Sequence, residues 1–405
     1  MSTLRFLFGN FSWLSVGILL TFLSSFGQTF FISIFSGEIR ESFALTHSAW
    51  GGIYTLGTGA SAVVMLWSGA LTDHFRTRSL SVVVLIALAV ACLAMALNPW
   101  AALLPLVIFA LRLCGQGMMS HLAVVSMSRW FLASRGRALS IAGLGYALGE
   151  AILPVSFVTL MLFVDWRVLW IAVSAVCIGA APLIVLLLKQ ERTPQSHAET
   201  DSSTGMNQKH WTRVDCLRHP LFWFMVPAVL GPAAFGTAFF FQQVPYAAVK
   251  GWGHIDLVAL FPVYTGVAFV AMLISGWMLD RFGTARLIPW FQLPSVVAFA
   301  IYGMGTEISH VLLGLVFMGL TTGANATLPN AFWAEFYGTK HLGAIKATAA
   351  AVMVLGSALG PGITGALLDF GIGLEAQYAG IAFYFILTTV FMALGIRRYA
   401  FSDSA

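Results

Sequence analysis

The chain is predicted to be an all-α integral membrane protein, with twelve transmembrane helices in two six-helix pseudo-symmetric halves. Three observations predict it. Of its 405 residues 59% are hydrophobic and only 9% are charged, with a mean hydropathy of +0.86, whereas soluble domains carry about 25% charged residues. Apolar runs of the roughly 20 residues needed to cross a bilayer recur along the whole chain between short polar breaks. A charged cluster between apolar runs also occurs twice: Gly69 to Arg78 reads GALTDHFRTR, and Gly276 to Arg286 reads GWMLDRFGTAR. Their glycines lie 207 residues apart, about half of 405, which is the spacing an internal duplication produces.

In order, the runs are 11–36, 49–71, 79–98, 102–128, 138–162 and 167–188, then 220–247, 256–279, 286–305, 309–333, 342–368 and 376–396. The first outlasts a signal-peptide core and shows no small-residue cleavage site, so it is read as a retained span. It carries Gln28. Span two carries Tyr54 near its outer end and leads into Asp73, Arg76 and Arg78. Span four holds Arg112 and Gln116, and span five holds Glu150. Residues 189–219, rich in Lys, Glu, Ser, Thr and Gln, form the one long polar interruption. They divide the chain into an N-terminal half (1–188), a linker (189–219) and a C-terminal half (220–405). Within the linker, Trp211, Val214 and Leu217 among Arg213 and Arg218 fit either a short amphipathic helix at the membrane surface or a disordered polar loop. Span seven carries Gln242 and Gln243, span eight carries Tyr264 and leads into Asp280, Arg281 and Arg286, and span ten carries Asn325. Spans five and eleven contain Gly145-x-x-x-Gly149 before Pro154 and Gly356-x-x-x-Gly360-Pro361. Small residues at this spacing allow close helix approach, and the prolines allow bends.

Seventeen of the 21 Lys and Arg fall on the side of the N-terminus, only Arg40, Arg167 and Lys250 fall on the other, and Arg112 lies inside a span. By the positive-inside rule both termini, the linker and both charged clusters are cytoplasmic. The expected location is the cell inner (plasma) membrane, as a multi-pass monomer. The formal charge of +5 is accounted for by this distribution, so no nucleic-acid partner is expected. Cys92, Cys114, Cys177 and Cys216 show neither disulfide nor metal spacing. No His-Glu metal motif, nucleophile elbow or phosphate loop occurs, so neither an enzyme nor a bound cofactor is expected. A non-transporting sensor would be expected to add a soluble signalling region, for which the tails are too short.

The loop glycines and acids, Gly276, Asp280, Arg281, Gly283 and Arg286, resemble the G-x-x-x-D-R-x-G-x-R/K signature of the major facilitator superfamily of secondary transporters, with one extra residue before the last Arg. The first copy departs from it at His74 and Arg76. Asp165-Trp166-Arg167 resembles the step that opens span six in that superfamily, and Arg112-x-x-Gly115-Gln116-Gly117 resembles its R-x-x-G-x-G pattern in span four. Arg129-Trp130-Phe131 to Arg135-Gly136-Arg137-Ala138, followed by Gly143, Gly145, Gly149 and Pro154, looks like the monocarboxylate porter branch. The basic residues that many members of that branch carry in span eight or midway along span eleven are missing here.

The resemblance implies a secondary active transporter, and the branch implies a small organic anion moved with protons. An arginine about 11 residues into an apolar span cannot reach either surface easily and needs a partner. Glu150 shares its depth on an antiparallel helix. A proton-carrying acid beside an anion-binding arginine and a permanent structural salt bridge both fit. The amides Gln28, Gln116, Gln242, Gln243 and Asn325 suit a polar substrate or helix-to-helix hydrogen bonds. Tyr54 and Tyr264 suit a closing role or an interfacial belt. Counting 100° per residue puts His121 on the face opposite Arg112. Asp73 and Asp280, flanked by Arg76, Arg78, Arg281 and Arg286, suit a cytoplasmic gate in which carboxylates meet helix N-termini, or simple topology anchors. The expected partners are therefore a small-molecule substrate, protons and the lipid bilayer. The alternative within transport is proton-driven export of a drug-like or metabolite substrate.

Overall fold

Each predicted apolar run contains a helix in the computed structural model, which describes residues 6, 8–69, 71–131, 135–190, 204–338 and 340–399, although the run 286–305 is helical as one piece only from Leu293. Arg5 and Arg192, both used to orient the chain, lie outside the described residues, as do the side chains of Asp73 and Arg135. Among the described residues, nine helices are long and apolar enough to cross a membrane, and a bent pair makes a tenth. The Gly- and Ser-rich His47–Ser68 and the short Leu293–Met304 complete the series of twelve. Two compact units divide the chain, Met1–Ala198 and Glu199–Ala405.

In the first unit, spans two to six are His47–Ser68, Thr77–Leu97, Ala101–Trp130, Arg135–Met161 and Trp166–Leu187. Span one differs from its prediction. Its α-helix ends at Ser24, a 3₁₀ turn covers Ser25–Gly27, Gln28 is extended (φ −85°, ψ 155°), and helix resumes at Thr29, the two pieces bent by 48°. Beyond the break the second piece is fixed by aromatic edges: Phe31 meets Phe157 at 4.9 Å and Trp170 at 5.4 Å between ring centroids. The first piece lies against span five. A Cβ at Gly145 would fall 1.9 Å from the Ile18 carbonyl oxygen, and one at Gly149 would fall 2.0 Å from the Ser25 Oγ.

In the second unit, spans seven to twelve are Pro220–Phe241, Phe261–Phe282, Leu293–Met304, Ile308–Tyr337, Leu342–Asp369 and Leu374–Tyr399. Span seven, predicted continuous to 247, stops at Phe241. Gln242 leaves helical geometry (φ −90°, ψ 13°) before a separate helix Gln243–Lys250. Spans eleven and seven repeat the glycine contact, since a Cβ at Gly360 would lie 2.2 Å from the Ala234 carbonyl oxygen and one at Gly356 would lie 2.9 Å from that of Leu230.

The described part of the linker is folded, and of the two predicted forms it takes the short helix. Arg213–Arg218 is a helix started by a capping box, Thr212 and Asp215 each accepting from the other's backbone. Trp211 is buried and Leu217 packs inward, while Val214 is exposed, so the apolar side of this segment faces protein. Hydrogen bonds from Thr212 and Lys209 hold the Asp215 carboxyl down at about 2, and Lys209 also pairs with it at 3.0 Å. His219 closes the segment. Its ring meets Trp211 at 4.9 Å, Tyr399 at 5.4 Å and Tyr337 at 6.2 Å, which joins the linker to the ends of spans ten and twelve.

Burial lowers the His219 pKa from its ordinary 6.5, so the fold favours the neutral ring. A histidine with a depressed folded pKa stabilises fully above its unfolded value, and that contribution is lost as pH falls through the folded value. The thermal midpoint of the purified chain is therefore expected to hold above about pH 6.5 and drop below it, with His219→Phe flattening the drop. Parallel curves for the two proteins would rule out His219 as its source.

Candidate functional site

Arg112 opens a π-helical stretch, Arg112–Met119, within span four. Such i→i+5 segments are rare and recur at functional sites. The stretch lies against the break in span one because both backbones lack side chains at the contact. A Cβ on Gly115 would sit 2.6 Å from the Gly27 Cα, and one on Gly27 would sit 2.2 Å from the Leu111 carbonyl oxygen. This approach sets the carbonyl of Gly27 and the hydroxyl of Thr29 beside the guanidinium.

Arg112 is 2% exposed. Its Nη1 donates to the Gly27 carbonyl oxygen at 3.1 Å and to Thr29 Oγ1 at 3.3 Å. Thr29 Oγ1 is hydrogen-bonded to the Tyr54 hydroxyl at 2.6 Å, and the Tyr54 ring centroid lies 5.3 Å from the guanidinium carbon. Nε is buried and has no hydrogen-bond partner among the described residues. A full positive charge is thus held by two neutral oxygens and a ring face. Desolvating such an ion costs several kcal/mol, and a neutral carbonyl returns only part of it.

Glu150 comes to the same break from the other side. It follows Gly149, whose missing Cβ lets span five touch Ser25, and it is 7% exposed. The Tyr146 hydroxyl donates to its Oε1 at 3.4 Å, and the Tyr146 ring meets Phe30 edge-on at 5.7 Å. Phe30 adjoins Thr29, so the two charged residues connect through span one, with the Arg112 hydrogen bonds going to Gly27 and Thr29. Gln28 is buried at the break, and Gln116 is half-buried in the π stretch with its backbone nitrogen against Gly27. Tyr54 is fully buried and sits under Arg112. Thr29 and Tyr146 were not read from the sequence, where nothing separates them from other hydroxyl residues.

Gln242 and Gln243 of the second unit are engaged in joining helices. Gln242 Nε2 donates to Thr364 Oγ1 at 3.0 Å, Gln243 Nε2 donates to the Phe240 carbonyl oxygen at 2.9 Å, and Gln243 Oε1 lies 3.3 Å from His254 Nε2. Buried Tyr264 donates to Thr322 Oγ1 at 3.1 Å. Asn325 is half-buried on span ten. For His121 the 100° count fails, because eight residues between it and Leu111 are π-helical. Its Nε2 instead lies 3.5 Å from where a Cβ on Gly69 would be.

At the first charged loop, Arg129 Nη1 donates to the Thr72 carbonyl oxygen at 2.6 Å. Arg76 is exposed and Arg78 is half-buried. At the second loop, Asp280, Arg281 and Arg286 are exposed, and the Arg281 guanidinium lies over Trp277 at 5.6 Å. Gly283 turns the chain at φ +76°. A cleft of about 380 Å³ here is lined by Leu279, Asp280, Gly283, Thr284, Ala331, Ala334 and Glu335. No group of three or more His, Cys, Asp or Glu among the described residues is placed to hold a metal.

A sequence profile described as Major Facilitator Superfamily matches residues 17–306. Among solved structures, a bacterial homolog to the human lysosomal transporter Spinster, inward-facing and unoccupied, is 16% identical with a TM-score of 0.69, over 96% of this chain and 97% of that one. The same homolog, inward-facing and occupied, is 15% identical with a TM-score of 0.71, over 100% and 98%. The nucleoside transporter NupG is 12% identical with a TM-score of 0.70, over 96% and 99%. At these identities the likeness is one of fold. No curated protein matches the sequence.

The Gly27–Gly115 contact sets the whole site, and it is directly testable. Gly27→Ala is expected to destabilise the purified chain by the roughly 1–3 kcal/mol of an overpacked core, seen as a lower thermal midpoint. Gly52→Ala, in span two with nothing within 4 Å of the new methyl, should be neutral or slightly stabilising. Equal midpoints for the two variants would mean that the close contact is not a constraint.

Proposed function

The chain belongs to the Major Facilitator Superfamily and is a multi-pass membrane transporter, and from that premise we propose that it moves a small organic anion, most simply a monocarboxylate, by alternating access with proton symport. The observation that carries this reading is the state of Arg112, buried at 2% exposure, anchored through Nη1 to neutral oxygens, with Nε lacking an acceptor. An arginine in an apolar span whose fork is only partly engaged suits a carboxylate, which accepts two parallel N–H bonds and neutralises the charge.

Glu150 is the proposed proton carrier. A chain of contacts links it to Arg112 through Tyr146, Phe30 and Thr29. When Arg112 takes a carboxylate and Glu150 takes a proton, the pair moves with no net charge. Tyr54 lies under the arginine, and with Gln28 and Gln116 it is a proposed substrate contact of this unit. The proposed roles of Gln242, Gln243, Tyr264 and Asn325 are secondary, since three of them already hold helices together. Both termini are proposed to face the cytoplasm of a cell whose inner membrane holds the chain as a monomer.

Uptake into reconstituted vesicles is expected to rise as the outside is acidified and to be electroneutral. Arg112→Ala should weaken substrate binding about a hundredfold, the loss of two charge-assisted hydrogen bonds. Glu150→Gln should keep binding and counterflow while losing uphill accumulation. Accumulation against a gradient by Glu150→Gln would remove the proton-carrier role, and full binding by Arg112→Ala would remove the anion site.

The charged loops are proposed as a cytoplasmic gate, in which Asp73 and Asp280 make contacts that form in one state and break in another. Asp73→Asn and Asp280→Asn should leave insertion and thermal stability intact and slow turnover severalfold. Unchanged turnover in both would reduce Asp73, Arg76, Arg78, Asp280, Arg281 and Arg286 to topology anchors.

A further inference from the structure

At one edge of the second unit, span twelve presents Leu387, Phe391, Leu394 and Arg398 at i, i+4, i+7 and i+11, a single helix face, and all four are exposed. Phe391 packs on Phe224 of span seven at 4.2 Å between ring centroids. Gly395 permits this approach, since a Cβ there would lie 2.6 Å from the Phe224 Cβ. Next to Phe224, Trp223 is 55% exposed, and its indole N–H donates to the Leu217 carbonyl oxygen at 2.8 Å, fixing the ring to the last turn of the linker helix. An apolar lane therefore runs between Trp223 and the Phe391–Leu394 face.

The lane ends under two arginines. The rings of His219 and Tyr399 meet at 5.4 Å, so the residues that precede them, Arg218 and Arg398, are carried to the same end of the lane, and both are exposed. The Arg398 guanidinium lies over the Tyr399 ring at 5.6 Å. The linker helix has one carboxylate, Asp215, and it is taken by Thr212 and Lys209. We propose that this surface binds an anionic phospholipid, with its phosphate on Arg218 and Arg398 and an acyl chain along the lane. From Leu387 to Leu394 the helix rises about 10 Å, a length of apolar surface that a soluble anion would leave uncovered and a chain would cover. Trp223 stands where an indole favours the boundary between headgroup and hydrocarbon. A lipid held there would brace the linker against spans seven and twelve.

The test uses the full chain in detergent, titrated with phosphatidylglycerol or phosphatidylcholine, with bound lipid counted by native mass spectrometry. Phosphatidylglycerol is expected to bind more tightly. The preference should fall about fivefold for each arginine removed, so that R218Q/R398Q treats the two lipids alike, whereas Lys340→Gln, another exposed cation, keeps the preference. Equal affinities in the unmodified chain would overturn the proposal without any variant. So would a preference that survives R218Q/R398Q. Displacement of phosphatidylglycerol by soluble glycerol phosphate at equal concentration would show a site for the phosphate alone and would overturn the lipid as its occupant.

Discussion

The candidate site depends on one backbone contact, Gly27 against Gly115. Two helices approach so closely there that neither position has room for a methyl group. Span one breaks at this point, span four is π-helical, and the arginine that begins the π stretch finds a carbonyl and a hydroxyl at the break. If span one were an uninterrupted helix, the Gly27 carbonyl would be occupied within it and Arg112 would lose its backbone acceptor. Unmade hydrogen bonds to buried charged groups cost more than the 1–3 kcal/mol of neutral ones. The break, the glycine pair and the charge therefore require one another.

The internal duplication is visible in packing as well as in sequence. Gly149 and Gly356 lie 207 residues apart, the same offset as Gly69 and Gly276, and each places its span against the first helix of its own unit. The chemistry has not been kept in step with the frame. At the offset that relates the units, Arg112 corresponds to Gly319, where a Cβ would meet the Tyr264 carbonyl oxygen at 3.0 Å. In one unit the position carries a buried cation, and in the other it carries close helix packing. Both units keep a break in their first helix, at Gln28 and at Gln242. In the second, the amide at the break ties to Thr364 of span eleven.

The spans were legible because burial in lipid needs long apolar runs, and the glycine repeats of spans five and eleven were legible because only small residues permit such contacts. The breaks were not. The sequence shows its prolines plainly, yet Pro154, Pro182, Pro227, Pro232, Pro329 and Pro361 all lie inside continuous helices, where neighbouring groups can satisfy the freed backbone. The break in span one is set instead by two glycines 88 residues apart in sequence, and hydropathy is blind to that contact. The same limit explains His121, whose face was computed for an α-helix that is locally a π-helix. The docking of the linker is illegible for a related reason. Its aromatic residues are few and its charges many, but Trp211 and His219 find their partners in Tyr337 and Tyr399, far along the chain.

Arg112 and Glu150 share a depth in the bundle, and one chain of contacts between them runs through span one. That route bears on the proposed coupling. A direct ion pair would hold the carboxyl ionised and the arginine neutralised, so that substrate and proton would both have to compete with the pair. With Thr29 bonded to Arg112 and Tyr54, and Tyr146 bonded to Glu150 and edge-on to Phe30, neutral groups on span one stand within reach of both. In the proposed symport an anion supplies the acceptor that the Arg112 Nε lacks, and the proton goes to the Glu150 carboxyl. Coupling through adjacent residues of a broken helix would let both ligands bind together. Symport requires that.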